Sequence, residues 1–206
     1  SPQRAPLRKK IRSTWRANPS SPLAARMAPS PSHNNRRQGR PASNWEHSGS
    51  TKRWKLVAQS TQMSSSGVNT PLGRSAFTDG WDGYPQARAR WLDTVAQAGL
   101  QNVVVLGGDV HMNVAAQLRV QPNDERSPVV ASEIVTTSVT SRGLGEKLLA
   151  QIRDSNPDIL HARSDERGYT LLDIKPEGMR AEFMTTPNPA QAQGVFKAQA
   201  QWLVRA

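Results

Sequence analysis

Val103-Val-Val-Leu-Gly-Gly-Asp-Val-His-Met-Asn113 is the stretch on which the reading of this chain turns. An unbroken β-branched run of this kind marks a strand buried on both faces, because a strand with one wet face alternates apolar and polar residues. Gly107-Gly108 has the chemistry of a stop. Asp109 and His111 follow at once, two residues apart. In extended backbone, residues i and i+2 point the same way, so this spacing presents a carboxylate and an imidazole to one site. Open α/β sheets bind their ligands at the carboxyl ends of strands, where this pair is expected to lie. Two readings stay open on spacing alone: a two-ligand metal clip, and a turn that the pair merely caps.

Outward from that core the pattern alternates strand and helix. Residues 54–59 read as a short buried strand, followed by a Ser/Gly/Thr/Pro-rich loop through Asp82. Pro85 suits the first turn of a helix, Trp91, Leu92, Val95 and Ala98 form its apolar stripe, and Gly99 can end it. Downstream, 114–120 and 129–135 read as strands, and 144–153 as a helix with Leu144, Leu148 and Ile152 on one face. Pro176-Glu177-Gly178 has turn chemistry between alternating segments at 169–174 and 179–184, a predicted β-hairpin. Phe196, Ala198, Ala200, Trp202 and Val204 alternate as a last strand. The expected class is α/β (α+β).

The formal charge of +11 resembles a nucleic-acid signature until it is divided along the chain. Residues 1–50 carry ten Lys or Arg against Glu46 alone, whereas 51–206 carry seventeen against fifteen acids. The basicity belongs to the first fifty residues, which also hold seven Pro and nine Ser without hydrophobic periodicity. Such a composition buries too little surface to offset chain entropy, so 1–50 is expected to be a disordered basic tail and 51–206 the folded domain. No motif suggests specific nucleic-acid readout. With no cysteine, the chain has neither disulfides nor a thiolate nucleophile or ligand. No apolar run approaches the ~20 residues that span a bilayer, and no apolar stretch follows Arg36-Arg37 to make an export signal.

Five blocks in order give the chain a family likeness: Trp54-Lys-Leu-Val-Ala-Gln59, Asp79-Gly-Trp-Asp-Gly-Tyr-Pro85, Leu106-Gly-Gly-Asp-Val-His111, Ala131-Ser-Glu-Ile-Val-Thr-Thr-Ser138 and Ala162-Arg-Ser-Asp-Glu-Arg-Gly-Tyr169. Together they resemble the C-terminal part of PhoD-type alkaline phosphatases. The resemblance implies the C-terminal half of a four-layer αββα metallophosphoesterase sandwich, and a binuclear centre of ferric iron (Fe3+) and calcium (Ca2+). It places Asp109 and His111 on the family's last metal-ligand motif, with Asp109 toward calcium and His111 toward iron. It implies a phosphoester substrate, monoester or diester, attacked by metal-activated water with no protein nucleophile. Family members are commonly exported.

Asp82, Tyr84, Asn113 and Arg163 are the further candidates, as residues that shape the pocket. For Asp82 and Tyr84 a purely structural turn is an equal reading. Arg163, Asp165, Glu166 and Arg167 read as an ion-pair network, and His33, His47 and His161 as ordinary histidines. The family's earlier ligand motifs find no counterpart in residues 1–50, so one alternative is a catalytically incomplete fragment that needs the N-terminal half. A third reading makes the basic tail a binder of nucleic acid or anionic surfaces.

Overall fold

The computed structural model describes residues 9–11, 53–191 and 194–206. The valine run forms β5 (Val103–Gly107), and its side chains divide between two cores as a doubly buried strand requires. Val104 faces one core, while Val103 and Val105 face the other. Around it, β2 (Lys55–Ala58) pairs in parallel on one side and β7 (Val129–Val135) in parallel on the other. β6 (Asn113–Arg119) and β8 (Ile159–Arg163) then extend the sheet by antiparallel pairing, giving the order β2-β5-β7-β6-β8. The parallel link from β2 to β5 needs a crossover. It is supplied by the long loop, a two-stranded hairpin of β3 (Val68–Thr70) and β4 (Gly73–Ser75), and helix α1 (Pro85–Gln97).

α1 starts on Pro85, whose missing N–H is no loss in a first turn, and is followed by Gly99 in the left-handed conformation at φ 61°. Leu92 and Val95 bury its inner face against Val103 and Val105. Helix α2 runs from Glu146 to Ser155 and buries Leu149 and Ile152. The expected stripe of Leu144, Leu148 and Ile152 is corrected here: Leu144 precedes the helix, and Leu148 is only partly covered. Both helices lie on the same face of the five-stranded sheet.

The opposite face packs on a second sheet. β9 (Arg167–Lys175) and β10 (Gly178–Thr186) make the predicted hairpin, β11 (Lys197–Arg205) pairs antiparallel with β10, and β1 (Lys9–Ile11) joins β11 in parallel. Met179, Ala181, Phe183, Trp202 and Val204 meet Val104, Ala115 and Ile134 between the sheets. The described residues therefore build three layers: helices, the five-stranded mixed sheet, and a four-stranded sheet that is antiparallel except for β1. No described helix covers the outer face of the second sheet, where Tyr169, Leu171 and Leu203 are exposed, so a fourth layer is not among the described residues. The strand Lys9–Ile11 falls in the stretch expected to lack regular structure; the rest of the expected tail lies outside the described residues.

Two titratable groups, one fully buried and one half-buried, hold this arrangement. Glu133, in the middle of β7, is fully buried; Oε1 accepts the Met63 N–H at 2.5 Å and Oε2 the Ser64 N–H at 2.8 Å. Burial pushes its pKa above the ordinary carboxylate range, against these hydrogen bonds and the Arg88 charge, which favour the ionised form. His161, on β8, sits between the sheets with ring centroids 5.6 Å from Phe183 and 5.7 Å from Trp202. Burial, with Arg163 and Arg153 nearby, lowers its pKa to about 4, although Gln199 and Asp165 pull the other way.

Two measurements follow from these groups. Glu133→Ala strands two buried N–H donors and is expected to cost about 2–4 kcal/mol in denaturant unfolding, with Glu133→Gln costing less because the amide oxygen still accepts one bond. The folded pKa of His161 lies below its unfolded value of 6.5, so the stability from keeping it neutral is full above that pH and is lost as pH falls toward 4. The expected loss over that window is about 2–3 kcal/mol. His161→Gln should flatten this acid limb, and an unchanged limb would contradict the assignment.

Candidate functional site

The carboxyl end of β5 is built by close backbone approach. A Cβ at Gly107 would stand 2.2 Å from the Thr61 carbonyl oxygen, so glycine is what lets the long loop lie against the strand. Beyond it the chain turns tightly. The Val110 N–H donates to the Gly108 carbonyl at 2.8 Å, and Asp109, between them, has φ 67°. A hydrogen bond spanning one residue at positive φ is the strained kind of γ-turn. His111 follows at φ 55°. Two non-glycine residues in the left-handed region cost conformational energy, and such residues concentrate at functional sites.

This corrects the spacing argument. Asp109 and His111 are not on extended backbone, and the parity of side chains along a strand does not orient them. Asp109 is exposed, and it lines a cleft of about 200 Å³ together with Gln62, Phe77, Asp79, Trp81 and Met112. His111 does not line that cleft. Its Nδ1 lies 3.0 Å from the Arg142 carbonyl. A carbonyl only accepts, so Nδ1 carries a proton and donates, and in the neutral ring this leaves the lone pair on Nε2. Metal-bound histidines are oriented in this way, with the second ring nitrogen tied to a carbonyl or carboxylate.

Arg167, which the sequence offered only as a member of an ion-pair network, fixes the turn. Its Nη1 donates to the His111 carbonyl, to Thr137 Oγ1 and to Ser138 Oγ, each at 3.1 Å, and its Nη2 donates to the Ser164 carbonyl. A Cβ at Gly143 would come within 2.5 Å of the Ser164 carbonyl oxygen and 2.6 Å of the His111 carbonyl oxygen, so the 138–145 loop closes on the same point. Of the expected network, Arg163 and Asp165 form an ion pair. Glu166 instead accepts from Thr185 Oγ1 and Gln199 Nε2.

The remaining candidates separate. Asp82 lines the cleft, but its carboxylate is fully engaged, accepting from the Ser65 hydroxyl, the Ser66 and Gly67 N–H groups, and Arg88 at 2.7 Å. Burial raises its pKa, and the Ser66 and Arg88 interactions outweigh that to hold it below the ordinary range. Tyr84 is 66% exposed and is not part of the cleft lining. Asn113 is buried, with Oδ1 accepting the Thr137 N–H and Nδ2 donating to Gln199 Oε1. Arg163 is spent on Asp165, away from the cleft. Only Asp82 of these four therefore touches the cleft, and its part there is to hold the loop.

Asp109 supplies a hard oxygen and His111 a free imidazole nitrogen, and both suit a metal. Among the described residues, no group of three or more His, Cys, Asp or Glu gathers to complete a donor set. The fit to a metal centre is thus partial.

Comparison with known proteins locates this arrangement. The family described as PhoD-like phosphatase matches residues 38–183. Alkaline phosphatase D of Bacillus subtilis (strain 168) is 32% identical over 157 residues, which is 75% of this chain and 27% of that protein. A solved structure of PhoD superposes with a TM-score of 0.68 at 28% identity, covering 74% of this chain and 30% of that one. A shorter match of 78 residues, to serine hydroxymethyltransferase of Acinetobacter baylyi, covers 37% of this chain and 19% of that protein at 33% identity. The chain spans less than a third of the length of the phosphatases it matches.

Replacing the Arg167 fork with a single ammonium, as in Arg167→Lys, cannot reach all four acceptors. The expected loss is about 2–3 kcal/mol, accompanied by faster amide exchange in 108–112 and 137–138 while α1 keeps its protection. Uniform loss across the chain would show that Arg167 has no particular hold on the turn.

Proposed function

Because this chain belongs to the PhoD-like phosphatase family, we propose that the turn after β5 is part of a phosphoester hydrolase site in which Asp109 ligates calcium and His111 ligates ferric iron. The observation that carries the reading is the pairing of His111 Nδ1 with the Arg142 carbonyl on a strained turn, which leaves Nε2 available at the end of a parallel strand. When bound, such metals lower the pKa of a coordinated water and screen charge on phosphoryl oxygens. The chain's own residues hold the geometry. Arg142 fixes the tautomer and plane of the imidazole, Arg167 fixes the backbone that bears it, and Glu133 holds the loop that meets Gly107. No cysteine is present to serve as a nucleophile, in keeping with attack by water.

A second reading is favoured by the absence of a third clustered donor among the described residues. Two ligands retain a metal weakly, so the isolated chain is proposed to be catalytically incomplete, with the remaining donors supplied from outside the described residues. Both monoesters and diesters remain within the chemistry of the site.

Metal affinity separates these readings from a structural turn. His111→Ala is expected to weaken iron binding by about tenfold or more, and Asp109→Asn to do the same for calcium, on the scale by which removal of even supporting groups weakens metal sites. Unchanged affinities in both variants would refute the ligand assignment. Hydrolysis of a chromogenic phosphomonoester and phosphodiester by the unmodified chain, with both metals supplied, tests completeness. Turnover near the ordinary enzyme scale of about 10 s⁻¹ would overturn the incomplete-site reading.

A further inference from the structure

The cleft beside Asp109 has polar groups that the metal clip does not use. Its lining includes the aromatic rings of Phe77 and Trp81 and the apolar side chains of Met112 and Ile152. Asp79 and Gln62 also line it, and Gln62 is only 3% exposed with its Oε1 lacking any hydrogen-bond partner. The Gln62 amide nitrogen is already committed to Ser64, so its unsatisfied atom is an acceptor. Asp79 is exposed, and its carboxylate is an acceptor as well.

No Lys, Arg or His lines this cleft. Two arginines bound to lining residues or their neighbours are committed elsewhere: Arg88 to Asp82 and the Met63 carbonyl, Arg74 to Asn69, Ser65, Asn156 and the Ser155 carbonyl. A negatively charged cleft with unsatisfied acceptors and aromatic walls selects for a ligand that carries positive charge and N–H donors. Its volume of about 200 Å³ lies below the roughly 300–1,000 Å³ of pockets that enclose drug-sized ligands. That space suits a small group such as a short amino alcohol.

We infer that this cleft is the subsite for a protonated amine on the alcohol portion of a phosphoester. The ammonium group meets Asp79 between Phe77 and Trp81, the Gln62 amide, whose Oε1 is closed off in this structure, turns to meet it on binding, and the ester end lies toward Asp109. The role of the subsite rests on the phosphoesterase reading, whereas the amine-binding property does not. It makes Asp79 and Gln62 determinants of specificity outside the metal clip.

Ethanolamine and ethylene glycol are near-isosteres that differ in charge, and titrating each into the full chain by NMR tests the inference without phosphate or metal. Ethanolamine is expected to bind at least about tenfold more tightly than ethylene glycol, a difference of about 1.4 kcal/mol, with shifts concentrated at 79–82 and at Gln62. Asp79→Asn, an exposed change, should erase the preference. Phe77→Leu should weaken it while leaving the charge in place, and it serves as the second variant should Asp79→Asn perturb the fold. Equal binding of the two probes, undiminished ethanolamine binding in both variants, or no saturable ethanolamine binding would each overturn the inference. Because no metal is used, such a failure leaves the metal-affinity assay unaffected, and failure of that assay leaves ethanolamine binding standing.

Discussion

The guanidinium of Arg167 is the constraint on which the site depends. It is buried, yet its hydrogen bonds go to two carbonyls and two hydroxyls rather than to a carboxylate. An arginine cannot shed its charge, and burying that charge is unfavourable unless its donors are filled. The acceptors come from the turn after β5, from the start of the loop after β7 and from the residue after β8. Satisfying Arg167 therefore requires these three segments to meet, and their meeting holds Asp109 and His111 in a backbone conformation they would not otherwise adopt.

The same economy of space explains the glycines. Gly107 and Gly143 stand where a Cβ would strike a backbone carbonyl, so each marks a place where two chain segments touch without side chains between them. Glu133 completes the arrangement from below, reaching out of β7 to hold the loop through Met63 and Ser64. Strand, turn and loop are thus joined by backbone contact and buried polar groups at one end of the sheet. The hydrophobic cores lie along its two faces. The proposed site sits where the packing is polar and close, and the hydrophobic stabilisation where it is apolar.

The site is also divided in its chemistry. Asp109 opens to the cleft, while His111 is turned toward the loop that carries Arg142. A carboxylate and an imidazole with different outlooks fit the proposed pair of metals of different hardness better than one shared ion. On that proposal the cleft on the Asp109 side would take whatever the phosphoryl group is attached to, and its acceptor-rich lining would distinguish one alcohol from another.

Much of the fold was legible in the residues. The valine run gave a doubly buried strand, Pro85 and Gly99 bracketed a helix, and Pro176-Glu177-Gly178 turned a hairpin, because each of these signals acts within a few residues of itself. β8 was missed because its five residues alternate poorly, and Glu133 went unnoticed although an acid inside the apolar run 129–135 was visible in the sequence. Asp109 and His111 could be named from their neighbours, but not oriented: the i, i+2 rule assumes extended backbone, and Arg167, distant in sequence, imposes a left-handed turn instead. Composition and local pattern determined most of the segments that become strands and helices and named the candidates for chemistry. Tertiary structure alone decided where those residues point, because the hydrogen bonds that bend the turn and fill the buried charges join segments that the sequence keeps far apart.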